Sequence, residues 1–309
     1  MRSYMIRRAG HSVFVILALM ALLFFAVNVL GDPVLLLIGE DTTEESAKAL
    51  REKLELDRPM YVRFGDYFRD FLTGDFGTSI RLNIPARGLV FERVPRTLAL
   101  AGAAWGIGLV GIPIGMLAAR RPRGLIDRVV NVFSFAIISI PDFWLALMLI
   151  LIVSLRMGLT PTSGYDGLGP GGWEYLILPA IALCPRVLGR SAQITRATMI
   201  EEMGRGYVAT ARAKGLTENA VLISHVLKNA SISIVTLMGD ELAGFMNGAT
   251  IVETIFRWPG LGKLLIDAIN ARDLPVITAT VFVVALMIMV INLIVDLAYT
   301  WLDPRISYR

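Results

Sequence analysis

The chain has 309 residues, 55% of them hydrophobic and 18% charged, and a mean hydropathy of +0.63. Soluble domains usually stay somewhat below half apolar, so this composition excludes an ordinary soluble globule and points to a membrane protein. The net charge of +4 is scattered over the ends of apolar runs with no aromatic-interleaved basic patch, which excludes a nucleic-acid binder, and the single Cys184 excludes an internal disulfide or a multi-cysteine metal site.

A bilayer core takes about 20 mostly apolar residues per helix. Six runs reach that length, roughly 12–30, 97–119, 131–155, 175–195, 232–252 and 276–300, so the fold class expected is an all-α membrane protein with six transmembrane helices. An even number of spans puts both termini on one side. The first run follows Arg2, Arg7 and Arg8 in the manner of a signal peptide. It is long enough to span, however, and lacks a small-residue cleavage site before Asp32-Pro33, so it is expected to be a retained span.

The segment 31–96 holds two amphipathic patterns. "TTEESAKALREKLEL" (42–56) places Ala47, Leu50 and Leu54 on one face behind a Glu-rich start. "PMYVRFGDYFRDFL" (59–72) opens on Pro59 and sets Tyr61, Phe64, Tyr67, Phe68 and Phe71 at helical spacing. Such an aromatic stripe reads as packing before it reads as a ligand box. Together the two patterns predict a small extracytoplasmic helical cap.

The second run, "GAAWGIGLVGIPIGMLA", spaces Gly102 and Gly106, then Gly111 and Gly115, four apart around Pro113, a pattern that lets helix backbones approach closely. The linker "ARRPRGLIDR" (119–128) that follows is plainly basic, and the segment 196–230 carries Arg196, Arg205, Arg212, Lys214 and Lys228. By the positive-inside rule both are cytoplasmic, as are the N-terminus and the C-terminus with Arg305 and Arg309. The segments 31–96, 156–174 and 253–275 then lie outside. The organisation expected is a tail and first span over 1–30, the cap over 31–96, a core with five spans over 97–304 that includes a cytoplasmic segment over 198–230, and a tail over 305–309.

Within that cytoplasmic segment, Ala209, Ala211 and Ala213 give "YVATARAK" high helix propensity with little side-chain bulk. Gly215 sits where a left-handed C-terminal cap suits glycine, and Thr217 is placed to N-cap a second helix, "ENAVLISHVLKNA", with Glu218 in its first turn. A short helix of small residues ending in a sharp turn is suited to docking in a groove of another protein. An interfacial helix would need a broad apolar face, and this one offers Tyr207 and Val208.

In the fifth run Asp240 and Glu241 would each cost roughly 2.5–3.5 kcal/mol against lipid, so they must face water or a partner. Asp240, Gly244, Asn247 and Gly248 share one helical stripe that could line a hydrated passage. Two roles stand open for the acids: attraction of a peptide's amino group by Asp240, or a structural pair with Arg186 or Arg190. Asn292, Asp296 and Thr300 in the last run fall four apart and read as interhelical hydrogen-bonding positions. There is no G-x-x-x-x-G-K-[ST], no H-E-x-x-H and no G-x-S-x-G, and "GLGK" (260–263) has the wrong spacing for a phosphate loop. No catalytic residue, metal or cofactor is therefore expected, and any ATP-driven work belongs to another chain.

"YVATARAKGL" followed by "HVLKNA" resembles the cytoplasmic EAA loop of permease subunits of ATP-binding-cassette importers of the dipeptide/oligopeptide/nickel type. "GDFGTS" (74–79), "SIPDFWLALML" (139–149), "VETIFRWPGLGKLLIDAINARDLP" (252–275) and "DLAYTWLDPR" (296–305) resemble further segments of that family, of its first-permease type. Gly206, Ala209 and Ser233 stand where the family usually has an acid, an arginine and a proline. The resemblance implies a type I importer permease fold in a bacterial or archaeal cytoplasmic membrane and a non-catalytic part in importing di- or oligopeptides. The partners implied are a second, paralogous permease, one or two kinds of ATPase and an extracytoplasmic substrate-binding protein. It also implies that Tyr207, Val208, Thr210, Ala211, Arg212, Ala213, Lys214, Gly215 and Leu216 form the helix that couples to the ATPase. The alternative is a proton- or cation-coupled secondary transporter working through Asp240 and Glu241, which would often show inverted repeats; none is evident.

Overall fold

The computed structural model describes residues 2–29, 58–169 and 171–302, and among them it is helical throughout apart from turns and one isolated bridge between Thr78 and Pro85. In chain order the helices are α1 (Arg2–Val29), α2 (Met60–Thr73), α3 (Ala86–Gly108), α4 (Gly111–Ala119), α5 (Leu125–Ile138), α6 (Asp142–Leu149), α7 (Trp173–Met203), α8 (Gly206–Ala213), α9 (Glu218–Ala220), α10 (Lys228–Ile255), α11 (Leu261–Asn270) and α12 (Leu274–Leu302). Wider π-helical turns extend α6 over Ile150–Arg156 and join α9 to α10 over Val221–Leu227. The pattern at 42–56 and the tail at 305–309 lie outside the described residues.

The chain divides into two compact units, one within residues 1–94 and 264–286, the other within 95–263 and 287–307. In the first unit, α2 begins after Pro59 and stops at Gly74, whose φ of +78° is the left-handed geometry glycine tolerates best. Its aromatic stripe is packing, as the spacing suggested, except at Tyr61, which is exposed. Phe64 meets Phe24 of α1 edge-on at 5.2 Å between ring centroids, and Phe71 lies 4.3 Å from Tyr67, 5.0 Å from Phe76 and 5.2 Å from Phe282 of α12. Burial among these rings raises the Tyr67 phenol well above its ordinary value. A second clasp closes this unit. Asp273 accepts hydrogen bonds from the Ser79 hydroxyl and from the backbone N–H groups of Ile80 (3.2 Å) and Arg81 (3.4 Å), and both Ser79 and Asp273 are buried. "GDFGTS" and "INARDLP", far apart in sequence, are therefore two halves of one clasp.

In the second unit α7 is the hub, packed against α4, α5, α6 and α10. Small residues make this possible: Ala180, Ala182, Gly189, Ser191 and Ala192 are buried along α7. A Cβ at Gly111 would strike the Ser191 side chain and the Leu188 carbonyl, and one at Gly115 the Ala192 carbonyl. The Ser191 hydroxyl also donates to the Gly108 carbonyl at 2.8 Å. Gly102 and Gly106, by contrast, face open space, so only the later glycine pair mediates close helix packing within the chain.

The expected spans map onto this pattern unevenly. Four helical stretches are long and apolar enough to cross a membrane without a sharp bend: Ala86–Ala119, Trp173–Met203, Glu218–Met246 and Leu274–Ala298. The third expected span, 131–155, is instead two helices, Leu125–Ile138 and Asp142–Arg156, bent by 90°. Pro141 explains the break: it has no N–H to continue the helix and drives Ile140 away from helical geometry. The first lies within α1, whose apolar part is Val13–Ala26.

Candidate functional site

Helix α8 stands out from the spans as a short knuckle. Arg205 is extended before it (φ −75°, ψ 145°), and it ends at Gly215 with φ +77°. Nothing lies within 4 Å of where a Gly215 Cβ would sit, so the dihedral rather than crowding calls for glycine. The N–H of Gly215 donates to the Arg212 carbonyl at 3.0 Å, and that of Leu216 to Ala211 at 3.4 Å. Thr217 then caps the next helix as its position suggested, its hydroxyl accepting from the Ala220 N–H at 3.4 Å.

The knuckle has two faces. Val208 and Ala211, one turn apart, are buried and face the protein. Tyr207, Ala209, Thr210, Arg212, Ala213, Lys214, Gly215 and Leu216 are exposed. The Tyr207 hydroxyl donates to Glu202 at 2.7 Å, and partial burial followed by that bond raises its phenol above the ordinary value. Arg212 grips Glu218 with both Nε (3.1 Å) and a terminal nitrogen (2.6 Å) across the glycine turn. The pair is solvent-exposed, so it fixes the direction of the turn more than it adds stability.

The turn feeds straight into the π-helical Val221–Leu227, whose Val221, Leu222 and Val226 are buried and which packs against α7 and α8. From there the chain continues into α10 without a break, so the second helix expected after Thr217 is the first part of the Glu218–Met246 stretch itself. The two basic segments meet at this end. Arg196 of α7 clamps the buried Asp127 with two nitrogens, one at 2.9 Å, and Arg120 donates to Asn219 at 3.0 Å. Asp127 also accepts from the Arg123 N–H at 2.7 Å, so it holds the linker turn as well as the ion pair.

Further along α10 the acidic pair splits. Glu241 is buried, with 1% of its side chain exposed, and it accepts from Arg186 Nε at 3.1 Å and from a terminal nitrogen of Arg190. Arg186 and Arg190 stand one turn apart on α7, with 43% and 48% of their side chains exposed. Of the two roles left open, the structural pair therefore falls to Glu241 and uses both arginines. Asp240 is exposed and makes no hydrogen bond or ion pair among the described residues. Gly244 lies beneath Arg186: a Cβ there would come within 3.1 Å of its guanidinium. The side chains of Asn247 and Thr300, and the surroundings of Gly248, lie outside what is described. Asn292 is exposed and Asp296 buried.

At the far end of α10 the structure reveals a polar node that the sequence reading passed over. Glu253 is fully buried and accepts from the Thr97 hydroxyl at 2.8 Å and from the Lys263 N–H at 3.0 Å. Thr97 in turn accepts from the Leu261 N–H at 2.8 Å, so two side chains from elsewhere in the chain satisfy the first N–H groups of α11. Trp258, also fully buried, donates to the Arg96 carbonyl at 3.0 Å and meets Tyr165 edge-on at 5.0 Å. The signal for this node was present in "VETIFRWPGLGK": an acid ending an apolar run, eight residues before a helix start whose preceding Pro259-Gly260 has no side-chain acceptor to offer.

Comparison with known proteins gives a consistent result. The family model described as "Binding-protein-dependent transport system inner membrane component" matches residues 111–308, and its N-terminal companion matches residues 1–101. The chain is 37% identical to an oligopeptide transport system permease protein of Bacillus subtilis, covering 100% of both chains. It is 36% identical, again over 100% of both, to a glutathione transport system permease protein of Salmonella choleraesuis. Among solved structures, the inward-facing MetNI methionine ABC transporter is similar with a TM-score of 0.55 at 19% identity, over 70% of this chain and 96% of that one. An amino acid ABC transporter is similar with a TM-score of 0.53 at 19% identity, over 69% and 93%.

Proposed function

The chain belongs to the family of inner membrane components of binding-protein-dependent transport systems, and on that premise we propose that it is a permease subunit through which an ATP-driven importer carries peptides. It is a non-catalytic transport subunit, with ATP hydrolysis left to separate ATPase partners. Peptides are the cargo in this reading because relatives matched over their full length are named for oligopeptide, peptide and glutathione transport.

The observation that carries the coupling is the two-faced knuckle. The exposed face of Tyr207, Thr210, Arg212, Ala213, Lys214, Gly215 and Leu216 enters a cleft of the ATPase, while Val208 and Ala211 tie the knuckle to the chain behind it. A push on that face passes through Val208 and Ala211 to the buried side of the Val221–Leu227 turn (Val221, Leu222 and Val226) and so to α10, which carries Glu241. The π-helical turn is the compliant part of this path in this reading, since such turns are rare inside α-helices and are found mostly at functional sites. The mechanism is mechanical: the ATPases close, the knuckle moves, and α7 and α10 rearrange around the stripe of Asp240, Gly244, Asn247 and Gly248, which lines the passage.

In this reading the chain pairs with a second, related permease and works with one or two kinds of ATPase and an external substrate-binding protein. Its termini lie in the cytoplasm, and the 31–96 cap faces the binding protein. Cysteines introduced at Tyr207 and Lys214, crosslinked in intact membranes, are expected to capture a nucleotide-hydrolysing protein. Capture of none would overturn the coupling role. Uptake into vesicles should require internal ATP; uptake driven by a proton gradient alone would instead favour a secondary transporter built on Asp240 and Glu241.

A further inference from the structure

We infer that Arg186 and Arg190 form a docking station for the carboxylate of the passing solute, with Glu241 as the strut that holds them in place. This inference rests on the peptide-permease reading and names a point of solute recognition within it. Glu241 engages one nitrogen of each guanidinium. Each guanidinium carries five N–H donors on three nitrogens. The donors not turned to Glu241 make no hydrogen bond among the described residues, and nearly half of each side chain is exposed. Both arginines lie in the stretch Trp173–Met203 that is apolar and long enough to cross a membrane. Unspent guanidinium donors are costly against hydrocarbon, so they face water or an acceptor.

The geometry suits a carboxylate. Two planar forks one helical turn apart, held by a buried acid, are preorganised for charge-assisted pairing. A pair serving structure alone would be expected to spend its donors within the chain, as Arg196 does when it turns two nitrogens onto Asp127. Other charges set the rest of the selectivity. Asp142, at the start of α6, is close enough for its charge to be felt by Arg186 and Glu241. Asp240 follows on α10, turned about 100° from Glu241. With Asp142 and Asp240 included, the two arginines and Glu241 sum to −1, so a simple anion gains from the guanidinium forks and loses to the two aspartates. A zwitterionic solute meets both, with its carboxylate on the arginines and its ammonium toward Asp142. A short peptide with free ends is such a solute.

The test uses the complete importer, with its permeases, ATPases and binding protein, reconstituted in proteoliposomes with ATP inside. Uptake of trialanine is compared with that of trialanine amide, each normalised to its measured affinity for the binding protein. The wild type is expected to prefer the free acid by about tenfold, equivalent to about 1.4 kcal/mol. The double variant Arg190→Gln with Glu241→Gln removes one of the two guanidiniums without leaving a bare buried acid, and Arg190→Lys keeps the charge but loses the fork. Because Arg186 remains, the double variant is expected to lower the preference to about threefold, whatever it does to the absolute rate, and Arg190→Lys to a value between that and the wild type's. An unchanged preference in the double variant would overturn the proposal. So would loss of the second permease from the purified double variant with the preference intact, which would assign the arginines to the subunit interface. Absence of ATP-dependent uptake of either peptide by the wild type would overturn the peptide-permease reading itself, a result distinct from any behaviour of the variants.

Discussion

Helix α10 carries two buried acids roughly three turns apart, and they are used in opposite ways. Glu253 is enclosed, held by the Thr97 hydroxyl and by the Lys263 N–H in the first turn of another helix. Glu241 is as deeply buried, yet its partners are two guanidiniums that reach half into the open. A carboxylate with backbone and hydroxyl donors fixes architecture, because every donor is used up. A carboxylate neutralised by half-exposed arginines leaves donors over. Burial of an acid therefore does not indicate its role; what its partners have left to offer does.

The same substitution at both positions would break or sharpen this contrast. Glu253→Gln turns its NH₂ either toward the Lys263 N–H, which can only donate, or toward the Thr97 hydroxyl, which must then accept instead of donating. A loss of about 3 kcal/mol is expected in the unfolding transition of the chain in mild detergent. Glu241→Gln meets arginines that can swing to water, and about 1 kcal/mol is expected there once screening is allowed for. Equal losses would erase the distinction. Thr97→Val comes next: it leaves both the Leu261 N–H and one Glu253 oxygen without their shared partner, for about 2 kcal/mol in the same measurement. A change below about 0.5 kcal/mol would mean that the node is not closed as described.

Sequence reasoning reached some of these features and not others, for physical reasons. The knuckle was legible because Gly215 and Thr217 act locally: a left-handed residue and an N-cap hydroxyl are visible in a window of a few residues. The aromatic stripe of α2 was legible for the same reason. The role of Asp240 and Glu241 was not, since neighbours on a helix point about 100° apart and nothing local says which one faces α7. The glycine pairs posed the same difficulty: four-residue spacing is shared by Gly102 and Gly106, which face open space, and by Gly111 and Gly115, which are pressed onto Ser191 and Ala192. The bend at Pro141 was written in the chain but masked by the apolar run around it. The π-helical turn at Val221–Leu227 has no residue signature in its stretch of chain.

A smaller effect separates the knuckle from the node. Thr217→Ala removes a single exposed cap bond of 3.4 Å, so about 1 kcal/mol is expected, confined to the start of α9. Faster amide exchange at Glu218–Ala220, with the rest of α10 unchanged, would register it. Protection lost along the whole of α10 would mean that the knuckle and the span melt as one unit, and the compliant turn between them would lose its purpose.

The smallest effect belongs to Asp240, and it bears most directly on the contrast between spent and unspent groups. Exposed and without a partner among the described residues, Asp240 holds nothing together, so Asp240→Asn should leave the unfolding transition within about 0.5 kcal/mol of the wild type. An acid that contributes nothing to folding yet sits in a span must face water, another chain or the solute. Uptake of amino-terminated and amino-blocked peptides distinguishes these: a shift of the ratio between them on Asp240→Asn places the carboxylate on the solute's path. An unchanged ratio, with weaker association of the second permease, places it at the subunit interface. A destabilisation approaching that of Glu253→Gln would contradict both, because it would require a partner for Asp240 within the chain itself.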